Sequence, residues 1–246
     1  MPVDQEGLVV DDIPEGTKVV LVTPSHQYPL GVVLSLPRRL ALLEWADRAD
    51  AAIIEDDYDS EFRYGGRPIE PLQTLDRDGR VVYVGSFSKT MLPTLRIGFL
   101  VAPRTLRGAL HAAKSVADWH TPLPTQQALA DFIDDGGFAR HVRRMRSVYQ
   151  ARHELITTTI ADRFAGHFEL IPSTAGIHVA AWACEASVEQ VADATRQAAD
   201  RGVAMASLAR FGVARPCAPG VLVGYGAIAT HRIVEGLDRL LACYET

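Results

Sequence analysis

The chain has 246 residues, of which 48% are apolar and 22% are charged, and it carries a net charge of -5 at pH 7. This composition is that of an ordinary globular protein, long enough for one large domain or two modest ones. The acidic balance argues against a surface that coats nucleic acid, and no apolar stretch approaches the roughly 18 residues that span a bilayer. The three cysteines form no C-x-x-C motif, which fits a reducing compartment. We therefore expect a cytoplasmic protein with no direct nucleic-acid or membrane binding.

Short apolar runs alternate with helical patterns along the first part of the chain, which predicts α/β architecture. The predicted strands are 19–22, 51–54, 81–84 and 97–101. Their uninterrupted apolar character is typical of a parallel sheet that is covered on both faces. Ser35 can cap a helix that follows the first strand. A long helical region from 125 to 161, broken at Gly136 and Gly137, comes next.

The pattern changes after this helical region. Short strands are predicted at 168–171, 177–182, 203–205 and 221–223, with helices near 187–201 and 231–244. This alternation predicts a smaller α+β domain. We therefore divide the chain into a large domain, residues 1–150, with a mainly parallel sheet, and a small C-terminal domain, residues 151–246.

Acidic residues follow the second predicted strand directly, in the segment IEDDYDSEF. Ligands of open α/β folds bind at the carboxyl edge of the sheet, where such residues lie. Asp56 and Tyr58 are two positions apart, so they share a face if the chain stays extended. A carboxylate and a phenol there could bind a protonated ring nitrogen and a ring oxygen. A solvated acidic loop is the alternative interpretation.

The segment GSFSKT follows the third predicted strand, and it contains Ser86, Ser88 and Lys89. The two hydroxyls could bind a phosphate. We expect Lys89 to be partly buried at the sheet edge, because burial favours the neutral amine that Schiff-base chemistry needs. A serine-rich turn with an exposed lysine is the alternative interpretation.

Arg96 begins the fourth predicted strand, and a loop from Lys89 can bring it back to the same pocket. The planar guanidinium is well suited to a phosphate because it donates two parallel hydrogen bonds. A surface ion pair is the alternative. The loop TPSHQYPLG after the first strand contains two prolines and a glycine, and we assign no proton-transfer role to its His26.

Three segments together resemble a known family: TPSHQYPLG, IEDDYDSEFRY and SFSKTMLPTLRIGF. They resemble the aminotransferase-like domain of the MocR subgroup of GntR-family transcriptional regulators. That domain is a fold-type-I module that binds pyridoxal 5'-phosphate (PLP) and is related to class I and II aminotransferases. The resemblance continues through STAGIHVAAW and PGVLVGYGAI and covers essentially the whole chain.

The resemblance implies a role for each of the residues named above. Lys89 would hold PLP as a Schiff base, Asp56 would pair with the pyridine nitrogen, and Tyr58 would contact the ring oxygen. The phosphate would be bound by Ser86, Ser88 and Arg96. The protein would be a homodimer, and a small amine or amino acid would be its effector.

Three positions depart from the family pattern. Tyr28 stands where class I aminotransferases usually have an Asn that binds the ring hydroxyl, and Leu30 stands where Thr or Ser is common. The resemblance places Tyr28 at the cofactor. Leu222 stands where catalytic relatives have an Arg that binds the substrate carboxylate, and a neutral side chain cannot supply that charge-assisted clamp. Arg210 and Arg215 are the late arginines that could substitute for it.

The resemblance also predicts that the chain is truncated at its N-terminus, without the winged helix that reads DNA and without part of the cofactor pocket. Three functions remain open at this point. The first is a PLP-binding effector domain of a MocR-type regulator, and the second is an active PLP-dependent aminotransferase. The third is a truncated remnant without function.

Overall fold

In the computed structural model, which describes residues 1–65, 69–212 and 218–244, the chain divides into two units of tertiary contact. The first unit comprises Met1–Gln27, Val32–Glu61 and Gly66–Arg144, and the second comprises Tyr28–Gly31, Phe62–Gly65 and Met145–Thr246. A single helix, Gly137–Arg163, passes from the first unit into the second. The domain boundary that we predicted at residue 150 falls within this helix.

In the described part of the chain, the first unit contains six strands and four α-helices. Its strands are β1 (Val3–Asp4), β2 (Gly7–Leu8), β3 (Val19–Val22), β4 (Ala52–Asp57), β5 (Val81–Ser86) and β6 (Gly98–Val101). Its helices are α1 (Leu36–Arg48), α2 (Leu72–Leu75), α3 (Arg107–Ala117) and α4 (Leu123–Asp134). The first two strands form a small antiparallel pair, and the other four form one sheet in the order β3-β4-β5-β6.

The core of this unit lies between the sheet and α1. Val20 of β3, Ile53 of β4 and Val81 of β5 are paired across the sheet in one row, and all three are buried. Leu42 and Ala46 of α1, which lie four positions apart on one face of the helix, belong to the same apolar cluster. The register thus places the apolar residues of successive strands under one helix.

The sheet differs from the prediction at β6. The pairs β3–β4 and β4–β5 are parallel, as predicted, but β6 runs antiparallel to β5. All four β6 residues are exposed, and Leu21 on β3 is 60% exposed. The expectation of a sheet covered on both faces is therefore wrong within the described residues, because only the α1 face buries its side chains.

The helices of the first unit were only partly predicted. Ser35 caps α1, since its hydroxyl accepts the backbone N–H of Arg38 at 3.4 Å. The predicted break at Gly136 is confirmed, with α4 ending at Asp134. Helix α3 was not predicted, and none of its residues is buried.

The second unit contains a four-stranded antiparallel sheet and, among its described residues, two α-helices besides the second part of the long helix, α5 (Gly137–Arg163). The sheet order is β7-β8-β10-β9, and the helices α6 and α7 follow β8 and β10 in the chain. The element bounds are β7 (Phe168–Leu170), β8 (His178–Ala183), α6 (Val188–Asp200), β9 (Ala206–Ser207), β10 (Gly220–Gly224) and α7 (Ile233–Tyr244). The predicted strand at 203–205 is wrong by a few residues, since β9 begins at Ala206.

Capping and packing explain the position of α6. The Ser187 hydroxyl accepts the N–H of Gln190, and the Gln190 side chain accepts the N–H of Ser187, which together form a capping box. The buried face of α6 carries Val191, Ala194 and Ala198, which pack in one apolar cluster with residues of β8, β10, α5 and α7. Among the residues that the structure describes, no helix is both long and apolar enough to cross a membrane.

Candidate functional site

The predicted functional residues of the first unit meet at one edge of its sheet. Because β3, β4 and β5 are parallel, their carboxyl ends lie at the same edge. The antiparallel strand β6 starts at this edge, since Gly98 pairs with Ser86. The structure therefore brings Asp56 and Tyr58 to the same edge as the segment from Ser86 to Arg96.

Asp56 is a half-buried carboxylate near the end of β4. Within the described residues it makes no hydrogen bond and no ion pair. Partial burial raises the pKa of its carboxyl above the ordinary value of 3.8, and the neighbouring carboxylates Asp57 and Asp59 raise it further. The environment of Asp56 therefore favours a cationic partner, which would restore the ionised form.

The segment after β5 carries hydroxyls and cations. The Ser86 hydroxyl accepts the backbone N–H of Ser88 at 3.1 Å, which closes a tight turn. Lys89 and Arg96 are both exposed, and neither makes a hydrogen bond or an ion pair with another described residue. The partial burial that we expected for Lys89 is therefore wrong for this chain. Both cations are free to bind an anion.

The turn that carries Lys89 is anchored on both sides. The Phe87 ring packs against Phe99 of β6 and Phe138 of α5, with centroid distances of 5.8 and 5.7 Å. Thr90 is buried, and its carbonyl lies 3.0 Å from the Nε2 atom of His141. Lys89 thus lies between two fixed neighbours, which restricts where its amine can reach.

The Arg96 backbone is held in an unusual conformation. Its φ of 50° and ψ of 41° are left-handed, a region that a non-glycine residue rarely adopts. The next strand begins two residues later at Gly98, where a Cβ atom would lie 2.8 Å from the Gly85 carbonyl oxygen. The close approach of β5 and β6 therefore needs glycine at 98.

Tyr58 is bound to His26, a residue of the loop after β3. The Tyr58 hydroxyl donates to the His26 carbonyl at 2.8 Å, and the same oxygen lies 3.2 Å from His26 Nδ1. His26 Nδ1 also lies 2.9 Å from an Asp59 carboxylate oxygen, and both of these side chains are buried. The sequence showed each of these residues but gave no signal that they pair.

Two further polar contacts of β4 were not predicted. The Tyr83 hydroxyl donates to Asp57 at 2.7 Å, and the Ser60 hydroxyl donates to the same carboxylate at 2.7 Å. Burial and the bond to Asp57 raise the pKa of the Tyr83 phenol. Asp57 is thus occupied by two donors, whereas its neighbour Asp56 is not. This difference leaves Asp56, the carboxylate chosen from the sequence, as the one without a donor among the described residues.

The remaining predicted residues lie in the second unit or outside the description. The Tyr28 ring packs edge-on against Phe211 and His178, with centroid distances of 5.3 and 5.6 Å. Leu222 is buried in β10, paired with Ala180 and Ala206. Arg210 is exposed beside the Phe211 ring, and Arg215 lies outside the described residues.

The polar side chains at the sheet edge fit a ligand that carries a cationic ring nitrogen and an anionic group. Within the described residues, Asp56 lacks a cation, Lys89 and Arg96 lack an anion, and Ser88 offers a hydroxyl without another partner. These are the groups that PLP requires, because it carries a basic pyridine nitrogen, an aldehyde that reacts with amines, and a phosphate.

Comparison with known proteins defines the class of protein. The model of the family "Aminotransferase class I and II" matches residues 4–222, and the chain belongs to this family. The fold agrees with this assignment. The structure of LysN, an alpha-aminoadipate aminotransferase from Thermus thermophilus complexed with N-(5'-phosphopyridoxyl)-L-leucine, superimposes with a TM-score of 0.88 and 26% identity, covering 99% of this chain and 64% of that one.

The curated relatives include transcriptional regulators. The chain is 37% identical to the probable rhizopine catabolism regulatory protein MocR of Rhizobium meliloti, over 99% of this chain and 49% of that protein. It is 35% identical to the HTH-type transcriptional regulator YhdI of Bacillus subtilis (strain 168), over 96% of this chain and 50% of that protein. The chain therefore spans about half the length of these curated relatives.

Proposed function

We propose that this chain is a PLP-binding, aminotransferase-like effector domain of a MocR/GntR-type transcriptional regulator. The observation that carries the proposal is the half-buried carboxylate of Asp56, unpartnered among the described residues, at the same sheet edge as the unpartnered cations Lys89 and Arg96. The family match and the similarity to MocR support it. The whole protein would be a cytoplasmic homodimer.

Each residue would perform one task in holding the cofactor. Asp56 would accept a hydrogen bond from the ring nitrogen and keep that nitrogen protonated. Arg96, Ser86 and Ser88 would donate to the phosphate, and Lys89 would supply the amine that attaches covalently. Tyr58 would contact the ring oxygen. When bound, PLP supplies an electrophilic aldehyde and a ring that withdraws electrons.

The effector would be a small primary amine or amino acid, because such a molecule can compete with the Lys89 amine for the cofactor aldehyde. The response would then depend on which amine holds the cofactor. DNA would be contacted by a part of the regulator other than this chain, since this chain carries a net negative charge.

An active aminotransferase is the second candidate. The similarity to LysN and the complete set of Asp56, Tyr58, Lys89 and Arg96 favour it. Leu222 argues against it, since a buried leucine cannot bind a substrate carboxylate. Incubation of the chain with PLP, an amino acid donor and a keto-acid acceptor separates the two candidates. Sustained production of a new keto acid would establish catalysis and overturn a purely sensory role.

The binding proposal is tested by titrating the 246-residue chain with PLP and following the visible absorbance band. Borohydride reduction followed by peptide mass mapping locates the attachment. We expect one adduct on the peptide that contains Lys89, and no adduct in Lys89→Ala. Lys114→Ala is the matched control, because Lys114 is an exposed lysine of the same unit and pairs with Asp118. A band and an adduct that persist in Lys89→Ala would refute the assignment.

Cooperative unfolding is a separate test of the third function considered above, the remnant. A single denaturant transition that PLP moves to higher denaturant concentration would be expected of a functional binding domain. A non-cooperative transition that is insensitive to PLP would support the remnant.

A further inference from the structure

Two buried side chains of the first unit form a pair that the proposed function does not use. His26 lies in the loop after β3, and Asp59 lies just beyond the end of β4. Each is about 1% exposed, and His26 Nδ1 is 2.9 Å from Asp59 Oδ2. Since β3 and β4 are parallel neighbours, their carboxyl ends bring these residues together across 33 positions of sequence.

The chemistry of the pair fixes the direction of its hydrogen bond. An ionised carboxylate can only accept, so the proton of this bond lies on His26 Nδ1. A buried carboxylate without a donor would cost several times the free energy of an ordinary hydrogen bond. Asp59 therefore fixes both the tautomer and the ring orientation of His26.

Tyr58 makes one hydrogen bond to the backbone of this oriented residue and also contacts its ring. Its hydroxyl donates to the His26 carbonyl at 2.8 Å, and its oxygen lies 3.2 Å from the same Nδ1 that faces Asp59. The two rings are tilted by 32°, with centroids 6.0 Å apart. One histidine thus contacts the phenol through both its backbone and its side chain.

The three residues differ in exposure. His26 and Asp59 are buried, whereas Tyr58 is half-buried and lies two residues beyond Asp56 on the cofactor edge. Of the three, Tyr58 is therefore the side chain that a ligand at this edge could touch. The other two are buried behind it and contact it directly or through each other.

We propose that the His26–Asp59 pair is a positioning device that holds the Tyr58 phenol in place beside Asp56. The proposal rests on the PLP-binding function above, because it assigns Tyr58 to the cofactor. His26 transfers no proton to the cofactor and does not touch it. His26 determines the position of the phenolic oxygen, and Asp59 determines the orientation of the His26 ring.

The first test needs no cofactor, because it measures the NMR signal of the Tyr58 ring directly. The chain is labelled with ring-¹³C tyrosine, and the Tyr58 resonance is assigned by its loss in Tyr58→Phe. We expect His26→Leu to shift and broaden this resonance, because the ring loses its side-chain contact. His26→Asn, whose amide places a donor near the position of Nδ1, should largely retain the wild-type shift. An unchanged Tyr58 resonance in a folded His26→Leu chain would overturn the proposal.

The second test measures PLP affinity in a double-mutant cycle. His26→Leu should weaken binding roughly two- to tenfold, the range expected when the phenol's own hydrogen bond to the cofactor is misaligned. In the Tyr58→Phe background, the same substitution should weaken binding by less than about twofold, since its effect passes through the phenol. Equal effects in the two backgrounds would show a general structural role and would refute positioning.

The controls separate this inference from the function on which it rests. Tyr83→Phe removes another half-buried phenol of the same sheet, one that is bound to Asp57, and should leave the His26→Leu effect on PLP affinity intact. If the wild-type chain does not bind PLP, the proposed function fails while the tyrosine spectrum still decides the positioning of Tyr58. If PLP binds but the cycle is additive, only the positioning inference fails. Should His26→Leu be unfolded, Asp59→Asn, which removes the charge that orients His26 while keeping the side chain's size, takes its place, with His26→Asn as the conservative control.

Discussion

The carboxylate of Glu55 accepts the backbone N–H of Leu72 at 2.7 Å from a fully buried position in β4. The other carboxylate oxygen accepts the N–H of Gln73 at 2.9 Å, so one side chain satisfies two N–H groups at the start of α2. Burial nevertheless raises the pKa of Glu55, and these two bonds partly offset that effect.

Replacing Glu55 with Ala should therefore destabilise the chain by about 2–4 kcal/mol, because it leaves two N–H groups without acceptors and opens a cavity. Urea denaturation followed by circular dichroism measures the change. Glu44→Ala, which removes an exposed glutamate of α1, should change the stability by less than about 0.5 kcal/mol. Similar losses in the two variants would show that the Glu55 bonds contribute little.

A methyl group at Gly98 should disrupt the junction of β5 and β6. Its Cβ would lie 2.8 Å from the Gly85 carbonyl oxygen, and a backbone atom cannot yield as a flexible side chain does. We expect Gly98→Ala to lower the free energy of unfolding by about 1–3 kcal/mol and to weaken PLP binding through displacement of Arg96. Gly108→Ala is the matched control, since a Cβ there meets nothing within 4 Å and alanine favours the helix. A neutral Gly98→Ala would contradict the close approach.

Replacing Asp56 with Asn should stabilise the cofactor-free chain at neutral pH, by a few tenths to about 1 kcal/mol. The reason is that the folded state raises the pKa of this carboxyl above 3.8. The folded wild type then binds protons more tightly than the unfolded chain, so its stability falls as the pH rises from about 3.8 through the raised value. The Asp56→Asn chain does not lose stability in this way. The difference in stability between the variant and the wild type should therefore grow as the pH rises through this interval.

Denaturation of both proteins at a series of pH values measures this gap. The same Asp56→Asn substitution should weaken PLP binding, because the amide cannot keep the ring nitrogen protonated. A stability difference that is constant with pH, or a variant that binds PLP as tightly as wild type, would contradict the assignment of Asp56.

The proposed contact between Arg96 and the phosphate can be tested by comparing two ligands. Arg96→Gln should weaken PLP binding about ten- to hundredfold, as expected for a charge-assisted hydrogen bond, and Arg96→Lys should restore it only in part. Pyridoxal, which lacks the phosphate, should bind the wild type and Arg96→Gln with similar affinity. Arg196→Gln, at an exposed position of α6, is the control. An equal loss for both ligands would show that Arg96 does not contact the phosphate.

The sequence predicted the sheet better than it predicted the contacts around it. The apolar runs located β3, β4 and β5, since buried parallel strands carry continuous Val and Ile residues. The direction of β6 was missed because a run of apolar residues does not show whether its strand runs parallel or antiparallel to its neighbour. Helix α3 was missed as well, and none of its residues is buried.

For the candidate site, too, the sequence predicted which residues come together but not the contacts that they make. The position of Asp56 and Lys89 directly after predicted strands was enough to predict that they reach one edge, because parallel strands end at the same edge of a sheet. The sequence could not predict that Asp57 accepts a hydrogen bond from the Tyr83 hydroxyl, since that contact joins two different strands. Nor could it predict that Lys89 is exposed or that His26 pairs with Asp59. Such contacts are set by side-chain directions in three dimensions.

The antiparallel direction of β6 has a consequence for the order of folding. Ser86, Ser88, Lys89 and Arg96 all lie in the connection between two adjacent antiparallel strands or at its borders. Such local contacts close on the fast timescale of a hairpin, whereas joining β4 to β5 requires the slower closure of a parallel crossover. The half of the site that we propose for the phosphate can therefore assemble before β4 brings Asp56 beside it. A nascent chain could attract an anion before it recognises a pyridine ring.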